Sequence, residues 1–165
     1  MSAETERLQT AQWVLERNLA WIAAAEVKVG VIVAIDTAML GGLGVAFSAV
    51  SGAVRTHCDW LFAIAATICL GGGLFCAAMA VLPRVTGPAR SLLFFGRVGP
   101  RADAEYIDDF KMATDADFLE DWTAQIHRNA QIACDKFAWV RKSMWWSFLS
   151  VPSWFPAIIT LLNNK

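Results

Sequence analysis

Long apolar segments separated by polar ones dominate the pattern of this chain. Residues 29–54 contain Asp36 as their only charged side chain, and residues 60–82 contain none. At about 1.5 Å per residue, a helix of either length can cross a hydrocarbon core of roughly 30 Å. Both segments are therefore predicted to be transmembrane helices, joined by a short polar turn at residues 55–59. Nothing in the sequence breaks the helix between the charged segment ending at Lys28 and the first span.

A third uncharged segment covers residues 143–162 and carries Pro152 and Pro156, which are expected to bend a helix. Its length and its tryptophans are sufficient for a third span, but they also suit a re-entrant or interfacial segment. Two to three transmembrane helices are therefore expected.

The remaining segments have helical periodicity and more charge. Residues 1–28 are predicted to form an amphipathic helix that starts near Ser2. Residues 84–142 begin with a Pro- and Gly-rich loop, regular only around 92–95, followed by a short helix capped by Asp103. A longer helix then begins at Thr114 or Asp115 and leads to the third apolar segment. The predicted fold is an all-α integral membrane protein, one domain over residues 1–165, with a cytoplasmic helical bundle formed by extensions of the membrane helices.

Composition and charge support this class and suggest an orientation. The chain is 56% hydrophobic and only 18% charged, with eight Trp and ten Phe, which is typical of a multi-span membrane protein. Twelve of its 14 Lys and Arg residues lie in residues 1–28 and 84–142. By the positive-inside rule these two segments are predicted to be cytoplasmic. With three spans the C-terminus would be outside, and with two it would be inside.

Few kinds of catalytic chemistry remain compatible with the sequence. It has no P-loop, GxGxxG, HExxH or GxSxG motif. The four cysteines have neither CxxC nor metal-ligand spacing, so we expect no disulfide framework and no metal site. The polar segments are also too short for most catalytic domains. The chain is predicted not to be an enzyme and to need no cofactor.

A ligand site is more plausible than a catalytic one. Arg17, Trp21 and Lys28 lie on one face of the N-terminal helix. On the long helix, Gln125 and Asn129 share a face with Lys136. Cations for phosphate, a ring for a base and amides for its edge are the groups that a nucleotide requires. The alternative is that the two lysines pair with acids or extend towards lipid headgroups.

Four residues of the first span are candidates for a role in gating or assembly. Asp36 lies about 12 Å along the helix axis beyond Lys28, and an acid at that depth is either functional or hydrogen-bonded to a neighbouring helix. Gly44, Ser48 and Gly52 repeat every fourth residue, which allows two helix backbones to approach closely in lipid. That contact could lie within one chain or between copies.

Several segments, in their order and spacing, resemble the membrane effectors of Pycsar antiphage systems over nearly the whole chain. They are LAWIAAAEVKVGVIVAIDTAMLGGL (19–43), AVLPR (80–84), SLLFFGRV (91–98), Tyr106 and QIACDKFAWVRKS (131–143). The pattern acid-x-Lys-x-Gly of that family falls on Glu26, Lys28 and Gly30, and its Phe-Phe-Gly stretch on Phe94, Phe95 and Gly96. Arg97 and Tyr106, from these segments, complete the candidate nucleotide site.

The resemblance implies a function. Members of this family act beside a pyrimidine cyclase that makes cyclic CMP or cyclic UMP on infection, and the nucleotide activates the effector. The effector then impairs the bacterial inner membrane and stops phage propagation by abortive infection. We therefore expect a multi-pass, homo-oligomeric membrane protein that binds a cyclic pyrimidine mononucleotide and no nucleic acid. The alternatives are an oligomeric channel or transporter subunit that uses Asp36 as an ion or proton site, and a membrane scaffold without a ligand.

Overall fold

The computed structural model describes residues 3–50 and 55–163. This part of the chain contains no strand and five helices. They are α1 (Ala3–Ala49), α2 (His57–Val81), α3 (Phe95–Val98), α4 (Asp103–Met112) and α5 (Asp115–Asn163). The predicted all-α fold is confirmed. Three of these helices, α1, α2 and α5, are long and apolar enough to cross a membrane, and α5 continues as a helix through Pro152 and Pro156.

The chain packs as two units. The polar unit comprises Met1–Ala24 and Pro83–Asp135, and the membrane unit comprises Ala25–Leu82 and Lys136–Lys165. The long helices α1 and α5 each contribute residues to both units. The unit limits on these two helices lie earlier in the sequence than the predicted membrane boundaries at residues 28 and 142.

The first apolar helix ends at Ala49; residues 51–54 of the predicted span lie outside the described residues. The Arg55 guanidinium donates hydrogen bonds to the carbonyl oxygens of Phe47 (2.9 Å) and Val50 (2.8 Å). It also lies 4.1 Å from the centre of the Phe47 ring. A cation that donates to carbonyl oxygens at a helix C-terminus is favourable, because those groups carry a partial negative charge.

The second apolar helix begins at His57, so residues 57–59, predicted as part of a turn, form its first turn. The Thr56 hydroxyl accepts the backbone N–H of Asp59 at 3.3 Å, and the Asp59 carboxylate accepts the backbone N–H of Thr56 at 2.8 Å. This reciprocal capping box satisfies two backbone donors that no helix carbonyl can reach.

The polar segments also differ from prediction in detail. The regular stretch expected around residues 92–95 lies three residues later, as α3. The hydroxyl of Ser91 accepts the N–H groups of Leu93 (3.2 Å) and Phe94 (2.8 Å) and holds the residues before α3 in a turn. Helix α4 has Ala102 as its N-cap, and Asp103 is its first residue and makes no capping hydrogen bond. The start of α5 at Asp115 agrees with the prediction.

Small side chains dominate the core of the membrane unit. One cluster of buried residues comprises Ala25, Val29, Ala77, Ala80 and Val140. The other comprises Leu43, Ala46, Val50, Ala63, Ala66, Ala157 and Leu161. From the first cluster to the second, the residue numbers rise along α1 and α5 and fall along α2. Helices α1 and α5 therefore run in the same direction, and α2 runs in the opposite one. The alanines of α2 allow close helix contacts, which stabilise bundles in lipid.

Two glycines of α2 lie between these clusters and explain the Gly-rich middle of that span. A Cβ atom at Gly72 would lie 2.9 Å from Cδ2 of Trp146, and a Cβ at Gly73 would lie 2.6 Å from Oδ2 of Asp36. Both positions therefore need glycine, because a ring and a carboxylate from neighbouring helices occupy the space.

Candidate functional site

The polar unit contains a cavity of about 630 Å³. Its wall is built from the loop before α3, from α3 and α4, and from the first turns of α5. The lining residues are Ala89, Arg90, Ser91, Leu92, Arg97, Arg101, Asp109, Asp117, Glu120, Asp121 and Ala124. The volume is within the range of small-molecule sites, roughly 300–1,000 Å³.

The buried carboxylate of Asp121 holds the loop against α5. It accepts hydrogen bonds from the Ser91 hydroxyl (2.7 and 2.9 Å) and from the backbone N–H groups of Leu92 (2.8 Å) and Leu93 (3.1 Å). The amide of Gln125, one turn further along α5, donates to the same carboxylate at 3.2 Å. Charged hydrogen bonds of this kind are stronger than neutral ones, so Asp121 fixes one wall of the cavity.

Helix α4 also supports this loop. The Tyr106 hydroxyl donates to the carbonyl oxygen of Leu92 at 3.0 Å. Its ring contacts Phe110, with ring centres 5.8 Å apart, and Phe110 contacts Phe118 of α5 at 5.1 Å. This row of aromatic side chains ties α4 to α5. The peptide group between Leu92 and Leu93 is therefore held on both sides, its N–H by Asp121 and its carbonyl oxygen by Tyr106.

The three arginines of the wall differ in their surroundings. Arg101 pairs with Asp109 at 2.8 Å and with Glu105 at 3.6 Å. Arg97 donates from Nε to the carbonyl oxygen of Pro88 at 3.2 Å, which leaves the terminal nitrogens of its guanidinium without a partner in the described part of the chain. Arg90 makes neither an ion pair nor a hydrogen bond to the described residues. Two guanidinium groups can therefore accept an anion from the cavity.

Two exposed carboxylates, Asp117 and Glu120, also line the cavity. Asp117 accepts hydrogen bonds from the hydroxyl (2.6 Å) and the backbone N–H (2.8 Å) of Thr114. These bonds hold the pKa of Asp117 below its ordinary value, so it remains charged at neutral pH. Glu120 lies one turn later and is exposed.

This set of side chains suits a ligand that carries both an anionic group and hydrogen-bond donors. Guanidinium groups bind phosphate in a planar, bidentate geometry. Carboxylates accept hydrogen bonds from sugar hydroxyls and from exocyclic amines. The cavity combines both kinds of group.

Of the eight residues predicted to bind a nucleotide, four lie at or behind this cavity. Arg97 lines it, Tyr106 supports the loop, and Gln125 contacts Asp121. The side chain of Asn129 donates to the carbonyl oxygen of Gln125 at 2.9 Å, one layer further from the cavity. The shared face of Gln125 and Asn129 therefore exists, and in this structure it braces the wall.

Two others lie on the surface of α1 in the polar unit and do not line the cavity. Arg17 lies 5.8 Å from the centre of the Trp13 ring, and Trp21 is 54% exposed. Their role as ligand contacts stays a prediction.

The last two belong to the membrane unit, where both lysines are engaged. The Lys28 ammonium lies 5.0 Å from the centre of the Phe137 ring. Lys136 is 4% exposed; its ammonium pairs with Glu26 at 2.9 Å and donates to the carbonyl oxygen of Ala80 at 3.0 Å. Lys136 thus joins α1, α2 and α5, as in the alternative in which it pairs with an acid. Its role in ligand binding stays a prediction.

The candidates for gating and assembly also differ in position. Asp36 is fully buried and accepts a hydrogen bond from Ser147 of α5 at 2.8 Å. Gly44 and Ser48 are exposed on the membrane unit, and a Cβ at Gly44 would meet nothing within 4 Å. Gly44 and Ser48, the two of these small residues that the structure describes, are therefore not used for packing inside the chain. Gly52 lies outside the described residues.

Sequence reasoning missed most of the cavity wall, notably Arg90, Asp117, Glu120 and Asp121. A prediction from residues that share a helix face works only for regular helices, whereas about half of the wall residues lie in irregular loops. The available signal was the density of arginines in the Pro- and Gly-rich loop, followed by acids at the start of a helix.

The comparisons with known proteins agree with this architecture. The family model of the Pycsar effector protein domain matches residues 10–163, which is nearly the whole chain. Comparisons with curated proteins and with solved structures found no significant match. Together with three helices able to cross a membrane, the family match leads to one conclusion: the chain belongs to the Pycsar effector protein family and is a transmembrane protein.

Proposed function

We propose that this antiphage effector binds a cyclic pyrimidine mononucleotide, cyclic CMP or cyclic UMP, in the arginine-lined cavity of the polar unit. A partner pyrimidine cyclase supplies the nucleotide on infection, and the bound effector then impairs the bacterial inner membrane. The family membership supports the antiphage role. The presence of two guanidinium groups, Arg90 and Arg97, in one cavity is the observation that carries the ligand assignment.

The ligand chemistry follows from the charges of the wall. In the proposed complex the cyclic phosphate lies at Arg90 and Arg97. The ribose hydroxyl and the base edge lie towards Asp117 and Glu120. Asp121, Tyr106 and Gln125 contact no ligand and act as positioning residues for the loop.

The continuity of two helices supports a link between ligand binding and the membrane. Helix α1 covers Ala3–Ala49 and α5 covers Asp115–Asn163, so each contributes residues to both units. The first turns of α5 carry four cavity residues, Asp117, Glu120, Asp121 and Ala124. A ligand shifts such an assembly only by its preference for one state, and we propose that the nucleotide favours the state that damages the bilayer. The N-terminus and residues 84–142 are cytoplasmic in this proposal.

Replacing either arginine is expected to weaken nucleotide binding. Arg90→Ala and Arg97→Ala each remove charged hydrogen bonds to phosphate, so the Kd should rise roughly 10- to 100-fold. Calorimetric titration of the full-length protein in detergent with cyclic CMP and cyclic UMP measures the effect. In bacteria that produce the nucleotide, the same variants should lose membrane depolarisation.

The matched control is Arg7→Ala, which removes an exposed arginine of α1 in the polar unit outside the cavity. It should retain wild-type affinity. Equal weakening by all three substitutions would indicate only an effect of net charge. Unchanged Kd values for Arg90→Ala and Arg97→Ala would exclude this cavity, and absence of binding by the wild-type protein would reject the ligand class.

Homo-oligomer formation through α1 is part of the same proposal. Gly44 and Ser48, with Trp60 and Ile64 of α2, line an apolar groove of about 470 Å³ on the membrane unit. Gly44→Leu should fill the space that a neighbouring helix needs and weaken self-association roughly tenfold or more. Crosslinking in lipid nanodiscs measures this. Gly71→Leu is the control, since Gly71 of α2 also has open space at its Cβ position; equal loss from both variants would contradict a role specific to α1.

A further inference from the structure

The carboxylate of Asp36, in the middle of the first apolar helix, is fully enclosed in the membrane unit. The residue is 0% exposed, and its carboxylate lies against Gly73 of α2 and Ser147 of α5. Its Oδ2 atom accepts a hydrogen bond from the Ser147 hydroxyl at 2.8 Å. Its Oδ1 atom is buried and has no hydrogen-bond partner among the described residues.

Around Asp36, hydrogen-bond acceptors outnumber the hydroxyl protons that can be donated to them. The Ser143 hydroxyl donates to the carbonyl oxygen of Gly73 at 2.7 Å, so its proton is used there. The Ser147 hydroxyl lies 2.8 Å from Asp36 Oδ2 and 3.0 Å from the carbonyl oxygen of Ser143, and its single proton serves one of them at a time. These groups supply six oxygen atoms from three helices: the two carboxylate oxygens of Asp36, the hydroxyl and carbonyl oxygens of Ser143, the Ser147 hydroxyl oxygen and the Gly73 carbonyl oxygen. Only two hydroxyl protons are shared among them.

The buried carboxylate of Asp121 shows which hydrogen-bond donors Asp36 lacks. Asp121 has donors from one hydroxyl, two backbone N–H groups and one amide. Among the residues that the structure describes, Asp36 has only the Ser147 hydroxyl as a donor, and it lies within a span. A carboxylate with so little compensation in a medium of low dielectric constant is strongly unfavourable unless a cation neutralises it.

No basic side chain takes that role in the described part of the membrane unit. On α1 the nearest ionisable group in sequence is Lys28, which contacts Phe137. On α5 it is Lys142, whose ammonium lies 4.2 Å from the centre of the Trp139 ring. On α2, the free thiols of Cys69 and Cys76 lie one turn to either side of Gly73.

We propose that Asp36 is a binding site for a small monovalent cation, either a proton or Na⁺, and that the bound cation locks α1, α2 and α5 together. The oxygens of Asp36, Ser143, Ser147 and Gly73 are hard ligands, which suit either ion. Gly73 is required because a Cβ there would lie 2.6 Å from Asp36 Oδ2 and 3.2 Å from Ser147 Oγ. A proton reaches Asp36 from water, and no other group changes its covalent state. The site does not depend on the proposed nucleotide.

Thermal unfolding of the full-length protein in phosphatidylcholine nanodiscs tests the site. Tryptophan fluorescence gives the midpoint at several pH values in choline chloride, and then at constant pH as NaCl replaces choline chloride. If the lock is a proton, raising the pH should increase the unfolding constant up to about tenfold per pH unit, without an effect of Na⁺. If the lock is Na⁺, the constant should fall about tenfold for each tenfold increase in Na⁺ above the Kd.

Two variants assign the effect to the site. Asp36→Asn is uncharged and carries its own amide protons, so its stability should lose the cation dependence. Asp108→Asn, an exposed acid of α4, should retain it. Identical pH and Na⁺ dependence of wild-type and Asp36→Asn proteins would overturn the proposal.

Measurements on the wild-type protein alone keep the proposal testable if Asp36→Asn does not fold. Infrared spectroscopy should detect a protonated carboxyl at neutral pH if the cation is a proton. Line broadening in ²³Na NMR should detect binding if the cation is Na⁺. A wild-type protein that shows neither signal has no cation at Asp36, and the proposal fails.

Discussion

Asp121→Ala is expected to destabilise the polar unit by about 2–3 kcal/mol and to abolish nucleotide binding. The substitution removes the acceptor of the Ser91 hydroxyl and of the N–H groups of Leu92 and Leu93. Water in the cavity can replace some of these bonds, which keeps the cost below the sum of the individual terms. The loop, released from α5, would no longer hold Arg90 and Arg97 in one cavity.

Chemical unfolding in detergent and calorimetric titration measure the two effects separately. Asp108→Ala is a suitable control, because it also removes one acid but makes no such contacts. An Asp121→Ala protein that keeps wild-type stability would show that the loop does not depend on this carboxylate. A stable variant with wild-type nucleotide affinity would place the ligand elsewhere.

Glu26→Ala is expected to destabilise the membrane unit more than Lys136→Met does. The side chain of Lys136 is 5% exposed, whereas that of Glu26 is 51% exposed. Removing Glu26 leaves a buried ammonium with only the Ala80 carbonyl oxygen as partner, at a cost of about 1–3 kcal/mol after allowance for the exposed acid. Lys136→Met removes the charge and keeps the apolar stem, so about 1 kcal/mol or less is expected.

A double-mutant cycle tests this order. With Lys136→Met already present, Glu26→Ala should have almost no further effect, since no buried charge is left unpaired. Thermal unfolding in nanodiscs measures all four proteins. Equal and additive effects of the two single substitutions would show that the ion pair is not coupled, and Lys136 would then be available to a ligand.

The limits of sequence reasoning show best at particular helix ends. Uncharged length predicted α1 and α2 as spans, but it could not locate the end of α1, which depends on Arg55 folding back to two carbonyl oxygens. It also placed residues 57–59 in a turn, although Thr56 and Asp59 have capping-box spacing. The length of an uncharged segment can be counted in the sequence. The position of the last helical turn, in contrast, depends on side chains that lie outside the helix.

The candidate site shows the same division. Arg97 was predicted from the segments that resemble the family, and it lies in the cavity. Arg90 and Asp121 could not be predicted, because the loop that brings them together is folded by hydrogen bonds to backbone N–H groups. Lys136 has the residue type of a phosphate ligand, yet its partners, Glu26 and Ala80, come from two other helices.

The sequence by itself determined the class of protein, its three long uncharged segments, the resemblance to the family and the presence of a single acid in the first span. These properties follow from composition and from short-range periodicity, which do not depend on how the helices meet. Only the tertiary structure decided which charges are paired, which arginines share a cavity and what surrounds Asp36. Those properties depend on contacts between residues far apart in sequence, such as Asp36 with Ser147 and Ser91 with Asp121, and a helical pattern does not specify its partner.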